Sequence, residues 1–126
     1  MNRPPGSVFL GISGASGAPY AVRLAREFAR AGCRLSLCIS ESGLAVVRQE
    51  LSIEKEDRVA VTAAFLRLAS ADAAVYDPAD MAAPISSGSA FPEAAVICPC
   101  SLSTAAQIAL GGTSTLIHRA GAVALK

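Results

Sequence analysis

Three evenly spaced glycines, Gly11-x-x-Gly14-x-x-Gly17, separate a short apolar run, Val8-Phe9-Leu10, from an Ala/Arg-rich stretch that begins near Pro19. A strand that passes through a Gly/Ser turn into a helix leaves backbone N–H groups free and aims the positive end of the helix dipole at one point. That geometry suits an anion, usually a phosphate. The spacing is not the dinucleotide fingerprint G-x-G-x-x-G, and no Gly-Lys-Ser/Thr follows as in a Walker A loop. Read alone, the loop is either a seat for a phosphate-bearing ligand or a structural tight turn.

The pattern that follows fixes the fold class. Ala21, Leu24, Ala25 and Phe28 recur at helical spacing, with Arg23, Arg26, Glu27 and Arg30 on the opposite face and Gly32 at the end. Leu35–Ile39 reads as a buried parallel strand closed by Ser40. Ser42–Leu51 and Asp57–Ala69 read as helices, and Ala73–Tyr76 as a third strand. The stretch 77–91 is loop-like around Pro78, Pro84 and the polar run Ser86-Ser87-Gly88-Ser89. Ala94–Cys98 is a fourth strand, after which Ser101 caps a helix to Leu110 with Thr104 at its third position. A last helix starts at Thr113 or Ser114. Strands Val8–Ile12, Leu35–Ile39, Ala73–Tyr76 and Ala94–Cys98 alternating with helices predict one domain over residues 1–126. Its architecture is an α/β, Rossmann-like (flavodoxin-like) three-layer sandwich around a parallel sheet.

Composition narrows the function classes. Apolar residues make up 52% of the chain and charged ones 17%, which fits a chain with a real core and excludes disorder. The formal charge is +1, the arginines are scattered and Trp is absent, so nucleic acid is not expected as a partner. Neither a signal-like apolar segment nor a membrane-length run is visible, so the expectation is no membrane association and a cytoplasmic location. Cys33, Cys38, Cys98 and Cys100 flank or end strands and read as small, buried, reduced thiols, with no metal expected.

In open parallel sheets ligands sit at the carboxyl ends of the strands, where the strand order reverses. The polar groups of this chain collect there: Ser13 to Gly17, Ser40, Ser87 to Ser89, and Ser101 to Thr104. Arg119 and Lys126 lie seven apart on one helical face, where they could clamp a phosphate or serve as surface charge. Glu50, from pattern alone, is a solvated carboxylate at a helix end.

Taken together in order, Gly11-Ile-Ser-Gly-Ala-Ser-Gly-Ala-Pro-Tyr20, Ile39-Ser40, Ile85-Ser-Ser-Gly-Ser89, Val96-Ile-Cys-Pro-Cys-Ser101 with Thr104, and Leu116-Ile-His-Arg-Ala120 through Lys126 resemble the UbiX/Pad-type flavin prenyltransferases. These were formerly described as 3-octaprenyl-4-hydroxybenzoate carboxy-lyases. The resemblance implies FMN as non-covalent cofactor, and transfer of a dimethylallyl group from dimethylallyl phosphate to N5 and C6 of the reduced flavin. It also implies delivery of the prenylated flavin to a UbiD-type decarboxylase, and a homo-oligomer, in the family a dodecamer. Carried over by position, Gly14, Ala15, Ser16, Ser40, Ser101, Thr104 and Arg119 match FMN contacts. Ser87, Gly88, Ser89, Arg119 and Lys126 fall where the prenyl phosphate is held, and Glu50 with Ser16 are the catalytic candidates.

The chain departs from that family at Ala122, where Asp is usual, and at Thr115, where Asn or Asp is usual. The family pattern also continues past Lys126, with an Arg-Glu pair and a Tyr-containing segment, so the chain is expected to be a C-terminally truncated member. Two other readings are an FMN-binding module without turnover and a flavin-dependent Cys decarboxylase on the same fold. The second fits less well, since His118 is the lone histidine and no Pro-x-Met-Asn segment occurs.

Overall fold

The computed structural model describes residues 5–126. Four strands, β1 (Ser7–Ile12), β2 (Arg34–Ile39), β3 (Ala74–Tyr76) and β4 (Ala94–Ile97), form one sheet in the order β3-β2-β1-β4. Every pairing is parallel, with Gly11 in register with Cys38 on one side and Ile97 on the other. The expected strands are therefore all present, and the parallel arrangement holds throughout.

Alternation along the central strand sorts its side chains onto two faces. Val8, Leu10 and Ile12, with Leu35, Leu37 and Ile39 of β2, pack against α1 (Ala18–Arg30), α2 (Glu41–Glu50) and α3 (Arg58–Ala69) through Ala21, Ala25, Val47, Val61 and Phe65. Phe9 and Cys38 point the other way and meet Leu116, Ile117 and Ala120 of α5 (Leu116–Ala124). A further helix, α4 (Leu102–Ala109), packs beside α5, close enough that a Cβ on Gly121 would come within 2.8 Å of the Ile108 side chain. The chain steps outward from β1 to β2 to β3, then returns to place β4 on the opposite side of β1. The order thus reverses between β1 and β4, and a crevice opens at their carboxyl ends.

Several boundaries differ from the sequence reading, two of them because a side chain caps earlier or later than expected. Helix α2 begins at Glu41 rather than Ser42, since the Ser40 hydroxyl accepts from the Gly43 amide at 3.0 Å. Helix α5 begins after Thr115, not at Thr113 or Ser114, because Thr115 Oγ1 accepts from the His118 amide at 3.3 Å. Thr115 thereby serves as the N-cap of the last helix. Helix α1 opens at Ala18, one residue before Pro19, from Gly17 at φ 128°, a left-handed conformation that favours glycine. The loop after β3 contains two short 3-10 turns, Pro84–Ser86 and Gly88–Ala90.

The cysteines are free, but not all are buried. Cys33 and Cys38 lie inside the fold, Cys98 is half-buried and Cys100 is exposed. Burial raises the Cys38 thiol pKa to about 12, so it is inert as a nucleophile. No helix among the described residues is long and apolar enough to cross a membrane.

Candidate functional site

The glycine loop does not offer the free helix terminus that its sequence suggests. Glu50, at the last position of α2, reaches back and fills it. Its Oε1 accepts from the amides of Gly17 at 2.9 Å and Ala18 at 2.8 Å, and its Oε2 accepts from the Ser16 hydroxyl at 2.6 Å. The anion at the α1 terminus is the chain's own carboxylate. The Ser16 hydrogen bond first, then the two amides, hold the Glu50 pKa below its ordinary 4.5, so the group is ionised at neutral pH. Ser16 commits its proton to Glu50 and so turns the oxygen lone pairs of its hydroxyl outward as an acceptor. Pattern alone makes Glu50 a solvated helix end. The structure joins it to Ser16, a contact that local periodicity at neither residue reveals.

The open helix termini lie next door. A cleft of about 400 Å³ is lined by Ser40, Ser42, Ser101, Thr104, Thr115 and His118, among others. The N-termini of α2, α4 and α5 all end in it, capped by Ser40, Ser101 and Thr115. Each cap satisfies the third amide of its helix and leaves earlier ones over. Among the described residues, the amides of Glu41, Ser42, Leu102 and Ser103 have no hydrogen-bond acceptor. The hydroxyls add to this set. Ser101 Oγ accepts from the Thr104 amide at 3.1 Å and donates to Thr104 Oγ1 at 2.9 Å, which frees the Thr104 proton for a ligand. Several N–H groups and hydroxyls converging at positive helix ends form an anion site, and a phosphate is the anion that fits it.

Gly14 keeps the loop against this cleft, since a Cβ there would overlap the Ser42 side chain, its Cβ lying at 2.6 Å. The sequence-predicted residues Ser40, Ser101 and Thr104 thus line one cavity, with Gly14, Ala15 and Ser16 on the loop that abuts Ser42 at Gly14. Arg119 is not among the cleft's lining residues. Its Nε donates to the Ser86 carbonyl at 3.2 Å, which pins α5 to the turn that carries Ser87, Gly88 and Ser89. The Ser87 and Ser89 hydroxyls meet at 3.0 Å. Gly88 and Lys126 line a second cleft of about 570 Å³, together with Phe91, Glu93 and Val123. Ser40, Ser101 and Thr104 thus line the first hollow and Gly88 and Lys126 the second, while Ser87, Ser89 and Arg119 line neither.

Two residues of the site escaped the sequence reading as individuals. Ser13, 1% exposed, was visible only as part of the loop, yet its hydroxyl accepts from the Ser101 amide at 2.8 Å. His118 stands out in the sequence only as the lone histidine, and it lines the first cleft with Nδ1 3.1 Å from Ser114 Oγ. Among the described residues no group of three or more His, Cys, Asp or Glu side chains could hold a metal ion.

Comparison with known proteins shows the family and the fold. The chain is 38% identical over 117 residues to the flavin prenyltransferase UbiX of Halalkalibacterium halodurans, covering 93% of this chain and 57% of that protein. It is 42% identical over 120 residues to the flavin prenyltransferase UbiX of Thermoplasma acidophilum, covering 94% and 59%. A crystal structure of AnUbiX in complex with FMN and dimethylallyl pyrophosphate superposes with a TM-score of 0.76 at 28% identity, over 95% of this chain and 58% of that one. A dodecameric FMN-dependent UbiX-like decarboxylase from Escherichia coli O157:H7 superposes with a TM-score of 0.76 at 32% identity, over 94% and 60%. The chain spans about three-fifths of the length of these relatives. The model of the family described as Flavoprotein matches residues 2–126. By that match, which runs through the glycine loop, both serine caps and the last helix, the chain belongs to the flavoprotein family.

Proposed function

We propose that the chain binds FMN, with its phosphate in the cleft between Ser40, Ser101 and Thr115. We propose further that it serves a flavin prenyltransferase, which moves a dimethylallyl group from dimethylallyl phosphate to N5 and C6 of reduced FMN for use by a UbiD-type decarboxylase. The observation that carries the reading is the convergence of three capped helix N-termini, with open amides, at the point where the sheet order reverses. The likeness to UbiX proteins supplies the reaction.

The residues fit that chemistry. Ser40, Thr104 and the open amides of α2 and α4 would hold the phosphate of FMN, and Gly14, Ala15 and Ser16 would border its ring system. Reduced FMN supplies the electron-rich acceptor for the prenyl group. Arg119 and Lys126, with Ser87 to Ser89, would face the phosphate of the donor. Cleaving the allylic C–O bond builds negative charge on that phosphate, and fixed cations there lower the barrier. The Ser16–Glu50 pair can carry a proton, since one received at Ser16 Oγ passes to Glu50 Oε2 along the 2.6 Å hydrogen bond.

Anaerobic incubation with reduced FMN and dimethylallyl phosphate, followed by mass analysis, tests the proposal. A flavin heavier by one C5 unit supports prenyl transfer. Retained FMN without that product marks a binding module, and no retained flavin overturns the reading.

A further inference from the structure

We infer that Ser13 is a positioning residue for the phosphate cleft, acting through Ser101. The inference rests on the proposal that the cleft holds the FMN phosphate. Ser13 is the first residue after β1, and its side chain spans the reversal point of the sheet. Its hydroxyl donates to the Pro99 carbonyl at 3.1 Å and accepts from the Ser101 amide at 2.8 Å, while its own amide donates to the same Pro99 carbonyl at 3.1 Å. These contacts link residues 86 and 88 positions apart in the chain. One small side chain therefore fixes where the segment after β4 turns to enter α4.

The consequence for the cleft follows from the order of the bonds. The Ser13 hydroxyl uses the Ser101 amide, which precedes the helix and faces inward. With that amide held, the Ser101 hydroxyl is free to cap Thr104 and to donate to its hydroxyl. The amides of Leu102 and Ser103 remain open, and the Thr104 proton turns outward. Without the Ser13 oxygen, the part-buried Ser101 amide loses its acceptor and the Pro99 carbonyl keeps only the Ser13 amide as donor, a loss that shifts the α4 terminus rather than leaving it in place. Ser13 touches no ligand in this account. Its effect should therefore fall on whatever binds the α4 terminus and spare what binds elsewhere.

The FMN-to-riboflavin affinity ratio reads that difference, because riboflavin has the ring system and lacks the phosphate. Binding of both flavins is measured by fluorescence quenching for the wild-type chain, Ser13→Ala and Ser13→Thr, with the melting temperature of each without flavin. Ser13→Ala should weaken FMN about tenfold and leave riboflavin nearly unchanged, and Ser13→Thr, which keeps the hydroxyl, should restore the ratio. Equal weakening of both flavins, or a ratio unchanged in Ser13→Ala, overturns the inference and leaves the proposed FMN site standing. Wild-type protein that binds neither flavin overturns both. If Ser13→Ala fails to fold, the ratio in Ser13→Thr decides: a wild-type ratio supports positioning by the hydroxyl, and a lowered one refutes it.

Discussion

Glu50 and Ser16 meet at 2.6 Å across the gap between α2 and the glycine loop, and the same carboxylate occupies the N-terminus of α1 through Gly17 and Ala18. One side chain thus settles the loop's electrostatics before any ligand arrives.

That arrangement makes stability depend on acid. The folded pKa of Glu50 lies below its ordinary 4.5, so its contribution is complete above that value and is lost as pH falls through the lower, folded one. The melting temperature of the wild-type chain should exceed that of Glu50→Gln at neutral pH. The gap should close as the buffer is taken below about pH 4.5. Parallel curves down to pH 3 would show that Glu50 gains nothing from its partners.

Flavin binding should depend on the paired caps. Replacing both Ser40 and Ser101 by Ala removes two helix caps, each worth about 1 kcal/mol, together with two polar groups of the cleft. The folded double variant should not retain FMN. Arg119→Ala should change FMN affinity far less, because Arg119 is tied to the Ser86 carbonyl outside the cleft, and should instead raise the KM for dimethylallyl phosphate. Titrations with FMN and steady-state rates separate the two effects. An Arg119→Ala protein that loses FMN outright would place Arg119 in the flavin site.

Gly43 sets how closely α2 approaches the end of β1. A Cβ there would come within 2.5 Å of the Ile12 carbonyl oxygen, which is backbone and cannot rotate away. Gly43→Ala should destabilise the fold by about 1–3 kcal/mol. Urea unfolding measures it, and a change near zero would mean that α2 can move out without cost.

The thiols should react in order of access. Cys100 is exposed, whereas Cys38 is buried with its pKa pushed up to about 12. An aromatic disulfide reagent at neutral pH should label Cys100 in the native protein and reach Cys33 and Cys38 only after unfolding. Rapid native labelling of Cys38 would contradict the packing of β2.

Much of the fold is legible in the sequence because it rests on local signals. Short apolar runs mark all four strands, closed by Gly11, Ser40 and Pro99 in three of them and by Asp77-Pro78 in β3, and Ser101 announces its helix as a cap. The sequence places the starts of α2 and α5 one to three residues away from where they lie, since several adjacent hydroxyls compete for each cap and only geometry chooses among them. The site is less legible. That Glu50 meets Ser16, or Ser13 meets Ser101, depends on how β1, α2 and β4 come together. No periodicity within either segment encodes a contact 34 or 88 residues away. Position near strand ends predicts burial for all four cysteines, but Cys98 and Cys100 lie past the end of β4 at Ile97, where the first is half-buried and the second exposed.

The reversal of strand order between β1 and β4 also bears on the time course of folding. The loop, α1 and β2 can associate early through short-range pairing, but the cleft stays incomplete until β4 joins β1 from far along the chain. A flavin that needs Ser101 as well as Ser40 can hold only the finished arrangement. It is therefore expected to slow unfolding while leaving the refolding rate unchanged, which stopped-flow mixing with and without FMN would resolve. On this account the cofactor acts as a latch on a completed domain and takes no part in templating it.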